Sequence, residues 1–330
     1  MTKFDRSFPI GKLSDAVLDE NGWLCDLLRH WHPSGDAIGR RQDQKDKEYY
    51  LRLAIRKDYL NFYRAGQSVA KVRFDQQWKL QAKIHNKYVY GKGGSGQSYV
   101  TLTSAGFPER GNGRIVPYDG PARLREWTSQ ANKYGGCEKK FVDLVVGRNP
   151  SIIDLEMGLP AYSEDDRRAP RMDLVAIERG ADGWRVVFWE AKLVSDGRAR
   201  CSGDGDPRVV QQLQDYIDWL GHEGHKELVA QAYQRTCRLL VEMHALAKRF
   251  RPDIEDLGPG IRDVAAPDAP LLLIDDMPRL LIDDRTKNVA MTKNGHLEKL
   301  RNRCLAVQIV QDLDQMTLKP LDQIKLEMRA

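Results

Sequence analysis

The sequence predicts a mixed fold, α+β in its first part and α/β in its second. An antiparallel β-rich domain spans residues 1–120, and a domain in which helices and strands alternate spans 121–330. Three observations predict this. Between Tyr49 and Ile84, four short runs alternate polar and apolar residues, and Lys57-Asp58 and Ala65-Gly66 punctuate them, which is the pattern of half-buried strands joined by tight turns. Two apolar runs, Met172–Ile177 and Trp184–Trp189, flank Gly180-Ala181-Asp182-Gly183 and read as a β-hairpin. Between Lys226 and Phe250 the apolar residues recur at helical spacing through Leu228, Val229, Ala232, Leu239, Leu240, Met243 and Leu246.

At 330 residues the chain is long enough for one large or two ordinary domains. A content of 41% hydrophobic and 30% charged residues suits a water-soluble globular protein. No run approaches ~20 apolar residues, so no transmembrane span and no membrane partner is expected. Met1-Thr2-Lys3-Phe4-Asp5-Arg6 lacks the apolar stretch of a signal peptide. The five cysteines are scattered without Cys-x-x-Cys spacing, which supports neither a disulfide framework nor a zinc cluster and fits a cytoplasmic location. A formal net charge of +5 permits a nucleic-acid partner without demanding one. No feature of the sequence excludes a homo-oligomer.

In chain order, Val17-Leu18 and Trp23–Leu28 predict a helix ending near Trp31, with His30 and His32 as solvated imidazoles at its end rather than metal ligands. The β-meander comes next. One of its faces is apolar, and the other carries Arg52, Arg56, Arg64, Lys71, Arg73, Lys79 and Lys83 among tyrosines. Basic residues interleaved with aromatics suit nucleic-acid backbone and bases, and Arg52, Lys71 and Arg73 are the candidates; the same pattern also suits an ordinary solvated face. Gly91–Gly96 lacks the Gly-Lys-Ser/Thr ending of a phosphate-binding loop and reads as a linker. Residues 99–119 add a strand and turns. Ala122–Gly147 predicts one or two helices, and Ile152–Met157 a strand. After the hairpin, a glycine-rich loop holds Arg198 and Arg200, placed to contact phosphates. Pro207 and Gly221 bound a helix whose stripe is Leu213, Ile217 and Leu220. His222 and His225 read as loop residues after that helix. Leu271–Asp275, a continuous apolar run, predicts a central strand buried on both faces. Short strands at Leu280–Ile282 and Leu305–Val310 and a helix near Leu297–Arg303 complete the chain.

The hairpin carries the chemistry. If Arg179 pairs with Trp184, counting outward sets Asp173 opposite Glu190, and alternation puts Glu190 and Lys192 on one face. Two carboxylates and an ammonium then meet at one end of a hydrophobic hairpin, a cluster that suits a divalent cation beside water or phosphate. A second Glu-x-Lys at Glu138-Lys139-Lys140 shows that the triplet alone also arises by chance. What distinguishes Glu190 is the acid in register with it and the next helix, on which Gln212 and Tyr216 share a face.

Asp173, then Glu190-Ala191-Lys192, then Gln212-Leu213-Gln214-Asp215-Tyr216 resembles the PD-(D/E)XK nuclease superfamily. The Gln-x-x-x-Tyr on the helix after the hairpin is similar to that of its RecB-like branch. The resemblance spans about Ala131 to Asp275, with Met172 in place of the proline before the acid. It implies a restriction-endonuclease-like core of αβββαβ order, with Leu271–Asp275 as its fourth strand. It also implies a Mg²⁺-dependent hydrolase (Mn²⁺ as the alternative ion) acting on phosphodiesters, in DNA rather than RNA. Asp173, Glu190 and the Ala191 carbonyl would hold the metal. Lys192 would assist the attacking water, and Gln212 and Tyr216 would hold phosphate or brace the site. A Glu on the first core helix, Glu138 ahead of Glu126, would complete it, with Asp154 and Glu156 as other acids that could point there in its place. The alternative reading is a catalytically silent module that binds or senses nucleic acid on a nuclease scaffold.

Overall fold

The computed structural model describes residues 4–36, 49–91, 98–160, 171–201, 205–286, 290–303 and 305–329. The glycine tract at 92–96 and the charged connection at 163–170 lie outside the described residues.

The first layer begins with two short helices, α1 (Asp15–Glu20) and α2 (Gly22–His30). The Ser14 side chain accepts from the Val17 amide and starts α1. Strands β1 (Arg52–Arg56), β2 (Tyr59–Arg64), β3 (Gln67–Phe74), β4 (Leu80–His85) and β5 (Tyr99–Leu102) form an antiparallel sheet in sequence order, with α3 (Asn86–Val89) between the last two. Ala65 and Gly66 both take positive φ, 45° and 69°, as a two-residue turn between twisted strands requires. A small hairpin, β6 (Phe107–Pro108) with β7 (Ile115–Val116), leads to α4 (Pro121–Lys133). Leu124, Trp127 and Ala131 of α4 pack with Trp23 and Leu27 of α2 over Ala70, Ala82, Ile84 and Leu102 of the sheet. Packing therefore places α4 with the first sheet, although the sequence pattern groups it with the second domain.

The second layer is a mixed sheet. It is built from α5 (Cys137–Val146), β8 (Ile152–Gly158), β9 (Arg171–Gly180), β10 (Gly183–Leu193), α6 (Arg208–Gly221), α7 (His225–Lys248), α8 (Pro259–Ala265), β11 (Leu273–Ile274), β12 (Arg279–Asp283), α9 (Ala290–Lys293), α10 (His296–Asn302), β13 (Ala306–Val310) and α11 (Leu321–Arg329). The strand order is β13-β12-β10-β9-β8. Strands β8, β9 and β10 form an antiparallel meander, while β12 and β13 run parallel to β10. Val186 and Phe188 face α6 and α7; Val187, Trp189 and Ala191 face α5 and α11. No helix among the described residues is long and apolar enough to cross a membrane.

The structure corrects three expectations. The long strand beside the reactive end of β10 is β12, not Leu271–Asp275; that run supplies only the two residues of β11, and Leu271 and Leu273 are exposed. The short strand expected at Leu280–Ile282 extends to Arg279, whose side chain is fully buried because Glu178 (2.6 Å) and Asp275 (2.9 Å) neutralise it. The basic face of the meander is only half a surface. Arg52 and Arg64 pair with Asp143 of α5 at 3.3 and 3.2 Å, and Arg56 and Arg6 both pair with Asp154 of β8, to which Tyr233 also donates at 3.1 Å. Arg52 is thus a tie between the two layers and not a nucleic-acid contact. His32 is not solvated either: Asp36 Oδ2 lies 2.5 Å from its Nδ1, and burial lowers its pKa.

Candidate active site

The hairpin turns where the spacing requires. Trp184 pairs with Arg179 and the ladder runs to Trp189 with Leu174, so the next residues along, Glu190 and Asp173, face each other. The backbone closes the site: the Ala191 amide donates to Asp173 Oδ2 at 2.9 Å. Lys192 Nζ pairs with Glu190 Oε1 and donates to the Ala191 carbonyl at 3.0 Å. Both side chains are almost completely buried, which is costly for ions unless they are paired. Glu190 Oε2 is buried with no hydrogen-bond partner among the described residues. Burial, and then the charge of Asp173, push the Glu190 pKa up to about 7, with Lys192 and Gln212 offsetting part of the rise.

Helix α5 brings two residues from its first turn. Glu138 is half-buried and its pKa is raised, first by burial; Lys192 and Asp173 are close enough to act on it, and Arg198 pairs with it at 3.2 Å. Lys139 is not a candidate in the sequence, yet its Nζ bridges Asp173 Oδ1 at 2.9 Å and Glu156 Oε1 at 2.5 Å. Glu156 also pairs with Arg171, and its φ of 52° puts a non-glycine residue of β8 in the left-handed region. That costs of order 1–3 kcal/mol and turns the carboxylate toward Lys139. Asp154, the other acid of β8, faces the layer seam instead. The sequence signal is only that Lys139 adjoins the candidate Glu138; it does not say which strand end the two will meet.

Helix α6 closes the other side. Gln212 donates to the Arg171 carbonyl at 3.3 Å and stands beside Glu190. Tyr216 is fully buried, packs its ring at a tilt against Phe188 with centroids 5.8 Å apart, and donates to the Met157 carbonyl at 3.3 Å. It braces β8 and β10. Arg198 is held by Asp196 and Glu138 at the rim. Arg200 donates to the Ser195 carbonyl at 2.5 Å and shapes its own loop. Lys71 is half-exposed and Arg73 exposed on the open part of the meander face.

Among the described residues no three His, Cys, Asp or Glu side chains converge as a metal cage would require. What converges is an all-oxygen set of two carboxylates, Asp173 and Glu190, and the Ala191 carbonyl. That set would suit a small hard cation that keeps several waters, and Glu190 Oε2 is a buried oxygen with no hydrogen-bond partner among the described residues. Comparison with family models, with curated proteins and with solved structures found no match to this chain.

Proposed function

We propose that the chain is a metal-dependent nuclease that hydrolyses phosphodiester bonds in DNA. One observation carries the reading: Asp173 faces Glu190-Ala191-Lys192, the three charged side chains are buried, and Glu190 Oε2 has no hydrogen-bond partner among the described residues. The resemblance to the RecB-like branch of the PD-(D/E)XK superfamily adds to it, and the order α5-β8-β9-β10-α6, followed after α7, α8 and β11 by β12 beside β10, supports the αβββαβ core that this resemblance implies.

Asp173, Glu190 and the Ala191 carbonyl would hold Mg²⁺ or Mn²⁺, whose chemistry is to draw charge from the phosphate and to lower the pKa of water. Lys192 Nζ orients the attacking water and offsets charge growing on the phosphoryl oxygens. The Ala191 amide fixes the Asp173 carboxylate, so its second oxygen is aimed without a search through rotamers. Gln212 holds Glu190 against the β9 backbone. Tyr216 keeps α6 seated, and Lys139 balances the acidic end of the hairpin.

One observation favours the silent module instead. Both Asp173 oxygens are already taken, by an amide and an ammonium, and one Glu190 oxygen is taken by Lys192. Release of acid-soluble fragments from labelled DNA separates the readings. The nuclease releases them with Mg²⁺ and not with EDTA, and Glu190→Ala does not release them. Absence of cleavage across linear, circular, single-stranded and duplex DNA and RNA, with Mg²⁺ and with Mn²⁺, would sink the nuclease reading.

A further inference from the structure

A cleft of about 470 Å³ opens where the two sheets diverge, next to the candidate site. Its floor is made by the inward parts of Arg6 and Arg56, which Asp154 locks in place. One wall is the outer face of β2 and β3, with Tyr59, Asn61, Tyr63 and Lys71; the other is the end of β8 and β9, with Glu156 and Arg171. Lys57, in the β1–β2 turn, stands exposed at the rim. Five cations line the cleft against one carboxylate, Glu156, and that carboxylate is already paired with Arg171 and Lys139.

The cleft and the site are linked through shared neighbours. Arg171 lines the cleft, and its carbonyl accepts from Gln212, which stands beside Glu190. Gly66 lines it too, and a Cβ there would lie 2.8 Å from the Lys139 side chain. The two-residue turn therefore lets the meander approach Lys139, which bridges Asp173. The opening has the volume of a small-ligand site. It admits roughly one or two nucleotides and not a duplex. Basic groups spaced along a groove with tyrosine rings between them are the equipment for single strands, where phosphates meet cations and bases stack on rings.

We propose that this cleft binds a single-stranded nucleic-acid segment and leads it to the Asp173–Glu190 site; only the second clause rests on the nuclease reading. The two clauses separate experimentally. Fluorescence anisotropy of a labelled oligothymidylate, measured in EDTA, reports binding without cleavage. A blunt duplex of the same length is the second arm. The wild-type chain is expected to bind the single strand at least tenfold more tightly than the blunt duplex. Lys57→Ala with Lys71→Ala removes two exposed or half-exposed cations and should weaken single-strand binding at least tenfold. It should also flatten the slope of log affinity against log salt by about 1.4, at ~0.7 per phosphate contact. Tyr59→Ala should weaken binding about fivefold or more through lost stacking. Thermal unfolding like that of the wild type certifies the fold of each variant.

Single-strand binding unchanged in both folded variants overturns the cleft, as does an equal loss on the blunt duplex. If those variants also cleave DNA like the wild type, the nuclease reading survives that failure. If the wild type binds single strands through the cleft but releases no fragments with Mg²⁺, the cleft stands and the nuclease reading falls.

Discussion

The Ala191 amide donates to Asp173 Oδ2 at 2.9 Å, so the backbone of one strand aims the carboxylate of its neighbour. This bond ties the position of the acid to the hairpin register, and a one-residue slip would turn Asp173 to the opposite face. Asp173→Asn keeps an acceptor for the amide but loses the charge. Cleavage and metal binding should be abolished, while the melting temperature in EDTA should change little, since relief of like-charge repulsion with Glu190 offsets loss of the Lys139 ion pair. Near-normal turnover in this variant would remove Asp173 from the site.

Glu190 makes stability depend on pH in a stated direction. Burial and the Asp173 charge raise its pKa to about 7 in the folded chain, above the ordinary carboxylate value of 4.5. Between those two values the folded state keeps a proton that the unfolded state releases, so this group's contribution to stability falls as pH rises through the window. Glu190→Gln still accepts from Lys192 but cannot ionise. In EDTA, the wild type should lose stability from pH 4.5 to 8 relative to Glu190→Gln, by on the order of a few kcal/mol at most. Parallel melting curves for the two chains across that range would assign the pH dependence elsewhere.

Lys139 occupies the space between Asp173 and Glu156. Lys139→Ala leaves those carboxylates and Glu190 facing each other without that ammonium. The variant should melt lower in EDTA, by about 1–3 kcal/mol as a part-buried pair is broken, and should regain stability in Mg²⁺ more than the wild type does. Differential scanning calorimetry in the two buffers measures this. Equal Mg²⁺ gains in both chains would mean that Lys139 and the cation do not share the Asp173 carboxylate.

The hairpin is legible in the sequence because its information is local. The turn Gly180–Gly183 sets Arg179 against Trp184, and strict alternation carries that register outward to Asp173 and Glu190. The bounds of α6 are legible from Pro207 and Gly221 for the same reason. The features that the sequence hides depend on partners far along the chain. Arg52, Arg56 and Arg64 look like a solvated face until Asp143 and Asp154 arrive from the second layer. Leu271–Asp275 has the apolar run of a buried strand, but Arg279–Asp283 takes most of the place beside β10 because Glu178 and Asp275 neutralise its arginine. Lys139 stays hidden because nothing within one helical turn says which strand end that turn will meet.

Gln212 and Tyr216 share a helix face, and the sequence alone gives them equal weight; the structure separates them. Gln212 stands beside Glu190 and ties it to β9 through the Arg171 carbonyl. Tyr216 is fully buried, and its hydroxyl ends on the Met157 carbonyl. Removing the Gln212 amide takes away its neutral hydrogen bond to the Arg171 carbonyl, worth about 0.5–1.5 kcal/mol, and a polar neighbour of the Glu190 carboxylate. Gln212→Ala should therefore lower kcat by up to about tenfold, with little change in melting temperature. Tyr216→Phe keeps the ring against Phe188 and loses one neutral hydrogen bond, about 0.5–1.5 kcal/mol. Its cost should appear in stability, with kcat within about threefold of the wild type. The two changes act on different quantities, so their effects on turnover should add within error in the double variant. A large kcat loss in Tyr216→Phe at unchanged stability would show that the hydroxyl reaches the reacting groups, and the bracing role assigned to α6 would then have to be replaced by direct contact with substrate.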